Sequence, residues 1–195
     1  MKATKTLTEI YALAWEIDVE KDKRQMWFLQ LLGLPWAVLV LFFLVWYTRL
    51  VRPEIFDVHV GQISIGVILA LLPVMGISII LHELVHGVFF WFFTREQPKF
   101  GFSLLYAYAT APGWHFPTSQ YWLIGLSPLI LLTLIGLAFL PVVPNDLVFL
   151  LLFGIFTNAS GAIGDVYIVT RIAFEPVGAM VEDLGTGFRV HRRLS

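Results

Sequence analysis

Four long apolar runs, separated by short polar stretches, dominate the chain; they cover roughly residues 27–47, 62–93, 120–140 and 147–170. A hydrocarbon core about 30 Å thick takes on the order of 20 helical residues to cross, so each run predicts a membrane-spanning helix. At about 1.5 Å per residue the second run exceeds a perpendicular crossing. Tilt, a kink at Pro73 or protrusion is expected to absorb the excess. Between the third and fourth runs, Pro141, Pro144, Asn145 and Asp146 mark a tight turn that makes those spans antiparallel neighbours.

Two shorter patterns flank these runs. Leu7, Ile10, Tyr11, Ala14 and Ile17 recur at helical spacing, which predicts either a short amphipathic helix on the membrane surface or a polar tail. Phe100, Phe102, Leu104, Tyr106 and Tyr108 alternate with smaller residues at a period of two, which predicts a strand. Ala111-Pro112-Gly113 closes that strand, and a second short strand is expected through Trp114 and Phe116. The expected fold class is an all-α membrane protein, a bundle of about four transmembrane helices with a strand or hairpin between helices two and three. The whole chain, 1–195, reads as one membrane domain: a polar or amphipathic segment at 1–25, a four-span core at 26–170 and a tail at 171–195.

Composition strengthens the membrane reading. Hydrophobic residues make up 58% of the chain, against roughly 45 to 50% in an average soluble domain. The net charge of -1 and the absence of a clustered basic face give no reason to expect nucleic acid. With no cysteine, disulfides and thiolate metal sites are excluded, so any metal must use His, Asp or Glu. The first 25 residues are mixed in charge and unlike a cleavable signal peptide, so the first span is expected to stay. With four crossings, every Lys and Arg except Arg49 and Arg52 falls on the side of the termini. The positive-inside rule then places both termini, and the loop from Thr94 to Gln120, in the cytoplasm.

His82-Glu83-Leu84-Val85-His86 is an HExxH motif inside the second apolar run. On a helix, residues four apart share a face, so both imidazoles reach one zinc ion while Glu83 is placed to act on water. Two His and a Glu are costly inside a membrane helix unless they pair, bind metal or line a wet cavity.

Catalytic zinc takes three protein ligands, so a third donor is needed. The metzincin continuation is absent, because Phe92 stands where its third His would fall. In the fourth run, Gly154, Asn158, Gly161 and Asp165 form a stripe at spacings of four, three and four. Small residues there suit close helix packing, with Gly76 and Gly87 on the second span as partners, but packing does not explain a carboxylate. His86 and Asp165 also fall at similar depth, near the cytoplasmic end of their spans. Asp165 is therefore the candidate third ligand. His115 and Glu175 are reserves, and His59 and His191 read as solvated.

These residues resemble the site-2 protease class of intramembrane metalloproteases and, more closely, a bacterial family of membrane zincin peptidases. The resemblance covers roughly Leu71 to Thr170: the HELVH helix, a strand-bearing segment, a span opening with Gly125-Leu126-Ser127-Pro128, and a helix with Asn158 and Asp165. It implies zinc held by His82, His86 and Asp165, Glu83 as catalytic base, and Asn158 assisting near the substrate. The site-2 pattern has a proline three residues after the asparagine and Asp-Gly at its end, where this chain has Gly161 and Val166. The implied activity is hydrolysis of peptide bonds in or next to a membrane-embedded protein or peptide substrate, in a bacterial cell membrane. No stretch suits a PDZ-type domain, so substrate choice is expected to rest on the bundle and the strand. Two other functions fit the same cluster: an ion- or proton-coupled carrier, and a zinc-binding scaffold without catalysis. Four spans without an inverted repeat favour neither transporter architecture nor relay.

Overall fold

The structure is a computed structural model that describes residues 1–18, 22–57, 65–102 and 107–194. His59, the first residues of the second apolar run, and the middle of the predicted strand, with Leu104 and Tyr106, lie outside the described residues. In chain order the elements are β1 (Tyr11–Asp18), α1 (Lys23–Val51), α2 (Ile65–Thr94), β2 (Lys99–Phe102), β3 (Ala107–Thr110), β4 (His115–Pro117), α3 (Thr118–Phe139), α4 (Asn145–Gly161), α5 (Ile163–Ile172), β5 (Met180–Asp183) and β6 (Gly187–Arg193). Among the described residues, α1, α2, α3 and the α4–α5 stretch are long and apolar enough to cross a membrane.

Proline and glycine punctuation sets the helix boundaries. Helix α1 stops at Val51, one residue before the Arg52-Pro53 step, because a residue preceding proline disfavours helical geometry. Helix α2 ends where Arg95 takes a left-handed conformation, φ 58°. There the Thr94 hydroxyl accepts the Glu96 N–H and itself donates to the Phe90 carbonyl. The fourth run is not one helix. It breaks at Ala162, whose N–H still reaches the Asn158 carbonyl at 3.2 Å, and α5 restarts one residue later. The weak helix former Gly161 stands immediately before the break.

The chain divides into two units. One comprises Met1–Gln30, Glu83–Ser127 and Gly164–Ser195. It holds a four-stranded antiparallel sheet in the order β1-β6-β5-β4 and a separate hairpin, β2–β3. Its core joins Ile17, Phe116, Val181, Phe188 and Val190 from the sheet to Phe90, Ile124 and Ile172 from helices. The rings of Phe90 and Phe116 lie 5.4 Å apart, so truncating Phe116, which is fully buried, is expected to cost about 3 to 5 kcal/mol.

This sheet departs from the expected fold class. The spacing of Leu7, Ile10, Tyr11, Ala14 and Ile17 predicts a surface helix or a polar tail, yet Tyr11–Asp18 forms β1 against β6, from Tyr11↔Arg193 to Asp18↔Gly187. Trp15 and Ile17, two apart, pack on the core, and a long edge on β6 satisfies the backbone groups. The expected tail likewise supplies β5 and β6, in which Val181, Phe188 and Val190 turn to the core. The single strand expected at 100–108 is a hairpin pairing Lys99↔Thr110 through Phe102↔Ala107. The short strand at Trp114–Phe116 is β4, and its partner is β5.

The other unit comprises Leu31–His82 and Pro128–Ile163. A cluster of Val40, Leu44, Leu137, Ile155 and Ala159 holds it together. The Arg52 guanidinium closes the α3–α4 turn by donating to the carbonyls of Leu140 and Val143 and to the Asn145 side chain. The Ser78 hydroxyl donates to the Gly154 carbonyl at 2.9 Å, and a Cβ at Gly154 would stand 3.5 Å from Val74. Close packing was expected at Gly76, Gly87, Gly161 and Gly164. Three of these have open space where a Cβ would sit, and Gly87 faces Phe100 instead.

Candidate metal centre

Helix α2 is continuous through His82-Glu83-Leu84-Val85-His86, which puts the two imidazoles one turn apart on one face. Both histidines are buried, at 9% and 8% exposure, and Glu83 beside them is half-buried. Facing His86, at the first turn of α5, Asp165 brings Oδ1 to 3.5 Å from His86 Nε2. His86 and Asp165 thus meet within one unit, and His82 stands one turn before His86 on the same continuous helix.

What fixes the rings is more informative than their proximity. His86 Nδ1 lies 3.0 Å from the Ile124 carbonyl oxygen, which can only accept, so Nδ1–H donates and Nε2 is left to face Asp165. The carbonyl is available for a covalent reason. Pro128, four residues on within α3, has no N–H to give it. The Ser127 hydroxyl takes up a second position on the same oxygen, at 2.8 Å.

His82 is oriented in a parallel way. Its Nδ1 lies 3.0 Å from Asn158 Oδ1. The Asn158 amide nitrogen donates to the Pro128 carbonyl and to Thr133 Oγ1, both at 3.3 Å, which fixes the amide oxygen toward His82. A histidine that donates one ring N–H to an oxygen acceptor and presents the other nitrogen is the usual arrangement of a metal ligand. Two imidazoles and a carboxylate suit zinc, so the residues fit a zinc ion by donor chemistry and by ring orientation.

The break in the fourth run separates the roles within its stripe. Asn158 sits on α4 and meets His82, whereas Asp165 sits on α5 and meets His86. Gly125 permits the close seating of α5, since a Cβ there would lie 2.8 Å from Val169. Neither reserve residue joins the cluster. The Glu175 carboxylate accepts from Trp15 Nε1 at 2.8 Å and from Arg192 at 2.7 and 2.9 Å. His115 lies on β4 beside Glu182. His191, expected to be solvated, is half-buried with its ring 5.2 Å from that of His115.

Three features of the site carry no motif of their own. Ile124 acts through its backbone, and the only trace in the sequence is the proline four residues later. Tyr121, buried on α3, donates to Asp183 Oδ2 at 2.6 Å. Burial holds the Asp183 carboxyl above the usual range, opposed by the Tyr121 hydroxyl and the Gly185 N–H, with His86 in electrostatic reach. The hairpin also approaches the motif helix directly: a Cβ on Gly87 would lie 2.5 Å from the Phe100 ring.

An HExxH helix completed by a carboxylate from another helix is the donor set of a zinc metallopeptidase. The chain belongs to the family described as "Putative zincin peptidase", whose model matches residues 66–180, and that family implies zinc. No curated protein and no solved structure matches the chain.

Proposed function

We propose that the protein is an intramembrane zinc metallopeptidase that hydrolyses peptide bonds in or next to membrane-embedded segments. The observation that carries this reading is the pair of histidines whose Nδ1 atoms are each committed to an oxygen acceptor, beside Asp165 and next to Glu83 on an apolar helix. A relay of protons favours rings that exchange partners, and these rings are pinned.

His82, His86 and Asp165 would hold the metal. Zinc bound there supplies Lewis acidity, which polarises a peptide carbonyl and acidifies water. Glu83 takes the proton from the attacking water and delivers it to the leaving amine. Asn158 holds the His82 ring in its ligating tautomer. The exposed apolar faces of α1 and α2, including Leu31, Leu34, Val38, Phe42, Leu69, Leu72, Ile77 and Val88, support placement in lipid, because water-exposed apolar surface on this scale is unfavourable. Charge distribution supports a cytoplasmic location for both termini.

Among the described residues β2 pairs only with β3. Its other edge offers backbone groups to an extended peptide, and Phe100 keeps that edge beside Gly87, one residue after His86. A helical substrate must unwind before its carbonyls become available, and strand addition to β2 would hold the unwound piece.

The test pairs zinc content with cleavage of a membrane-spanning peptide in liposomes, comparing the native chain with Glu83→Gln. Zinc is expected to stay, while turnover falls roughly a hundredfold or more, the scale for losing a general base. Cleavage at the native rate by the Gln variant refutes the mechanism. Loss of zinc would make Glu83 a ligand, and a zinc-loaded native chain without turnover on any membrane peptide would favour a scaffold.

A further inference from the structure

A second group of ligating side chains lies on the four-stranded sheet, outside the site described above. Strand alternation turns Phe116, Val181, Phe188 and Val190 to the core, and their neighbours His115, Glu182, Arg189 and His191 to the other face. Register lines up His115↔Glu182, Glu182↔Arg189 and Arg189↔Glu16 as one row across four strands. His191 stands two residues along β6 from Arg189, diagonal to Glu182.

We propose that His115, Glu182 and His191 form a second metal site, taking zinc or a similar borderline divalent transition metal and linking β4, β5 and β6. One donor atom from each of the three lies within 4.8 Å of the others. His115 Nε2 approaches Glu182 Oε2 to 3.8 Å. That exceeds a hydrogen bond, yet it is close to the roughly 3.3 Å that separates two donors bound tetrahedrally at about 2.0–2.1 Å from zinc.

Hydrogen bonding does not account for these rings. The Nδ1 atoms of both His115 and His191 are buried and have no hydrogen-bond partner among the described residues. Either ring can turn over about its last side-chain bond, so either nitrogen can face the carboxylate. The backbone of His115 is fixed by reciprocal bonds with Thr4, at 2.8 and 3.0 Å, which leaves its side chain pre-placed.

Arg189 is the competing cation. Its Nη1 lies 3.7 Å from Glu182 Oε2, but its closer partner is Glu16, at 3.0 and 3.4 Å. Glu182 therefore keeps carboxylate capacity for a metal. Two nitrogens and one oxygen favour zinc, copper or nickel over magnesium or calcium, and three protein ligands leave a position for water or another donor.

The experiment is a zinc titration of the full-length chain in detergent against a competing chelator, with zinc alone as the probe. The native chain is expected to bind two zinc ions, His82→Ala/His86→Ala one, His115→Ala/His191→Ala one, and the fourfold variant none. Loss of all zinc from His82→Ala/His86→Ala, or the native stoichiometry retained by His115→Ala/His191→Ala, overturns the proposal. Arg189→Gln provides a check that leaves every ligand in place. It is expected to tighten the sheet site by up to about fivefold, the scale of one solvent-screened charge, and unchanged or weaker binding would count against the site.

Discussion

Replacing Asn158 by Ala tests whether that residue works through His82 or on the substrate. Three hydrogen bonds disappear: from His82 Nδ1–H to Oδ1, and from Nδ2 to the Pro128 carbonyl and Thr133. The first matters most for metal binding. His82 is 9% exposed and Asn158 4%, so water cannot readily replace the lost acceptor, and a buried polar group left unsatisfied costs about 1 to 3 kcal/mol. Loss of the oxygen that orients a ligating histidine typically lowers metal affinity roughly 10- to 100-fold, the same range once converted at about 1.4 kcal/mol per decade. Asn158→Asp keeps the acceptor and is expected to retain zinc, while losing both amide donations. The assay is zinc affinity by chelator competition, run on the His115→Ala/His191→Ala background so that only the helix site is read, together with peptide cleavage. Native zinc affinity in Asn158→Ala with cleavage abolished would refute the positioning argument and assign Asn158 to the substrate instead.

Three further outcomes follow from the same geometry. Asp165→Ala is expected to lower zinc affinity at the helix site at least about as much as the loss of an orienting partner, measured by the same competition; unchanged affinity would move the third ligand elsewhere. Glu175 is held below its ordinary value of 4.5, chiefly by the Arg192 guanidinium. Its stabilisation is therefore complete above that value and lost as pH falls through the lower folded value. Glu175→Gln should cost about 1 kcal/mol at pH 7 and progressively less as pH falls below 4.5, read from denaturation midpoints across that range. For topology, cysteines placed at the exposed positions Glu54 and Val177 in this cysteine-free chain should label from opposite faces of sealed cells. Labelling of position 54 from the cytoplasm would overturn the orientation.

Periodicity and apolar length made the helices legible, because a membrane span is a property of composition over about 20 residues and needs no tertiary partner. The HELVH helix and the Asp165 carboxylate were legible for a related reason: charge inside such a run stands out. The sheet was not. Tyr11–Asp18 carries both a helical and an alternating pattern, and the choice falls to β6, about 170 residues away, which no local window contains. The break at Ala162 was hidden because Gly154, Asn158, Gly161 and Asp165 keep one helical spacing across it. The role of Ile124 was unreadable from its side chain, since the carbonyl matters only because Pro128 withholds a donor and His86 supplies one.

The order of assembly follows from that non-local pairing. Strand β6 is the last element of the chain, and it joins β1 from the first 18 residues to β5 and β4. The sheet is thus completed only after α1 to α5 have been made, a long-range closure of the kind that is slow to form. Asp165 depends on it indirectly. Ile172, at the end of α5, shares the core of Val181, Phe188 and Val190, and Glu175, three residues on, is clamped by Arg192 of β6 and Trp15 of β1. A chain lacking β6 retains HELVH and the Ile124 carbonyl but loses the anchor of the helix that carries Asp165. The approach of Asp165 to His86 is therefore tied to completion of the sheet.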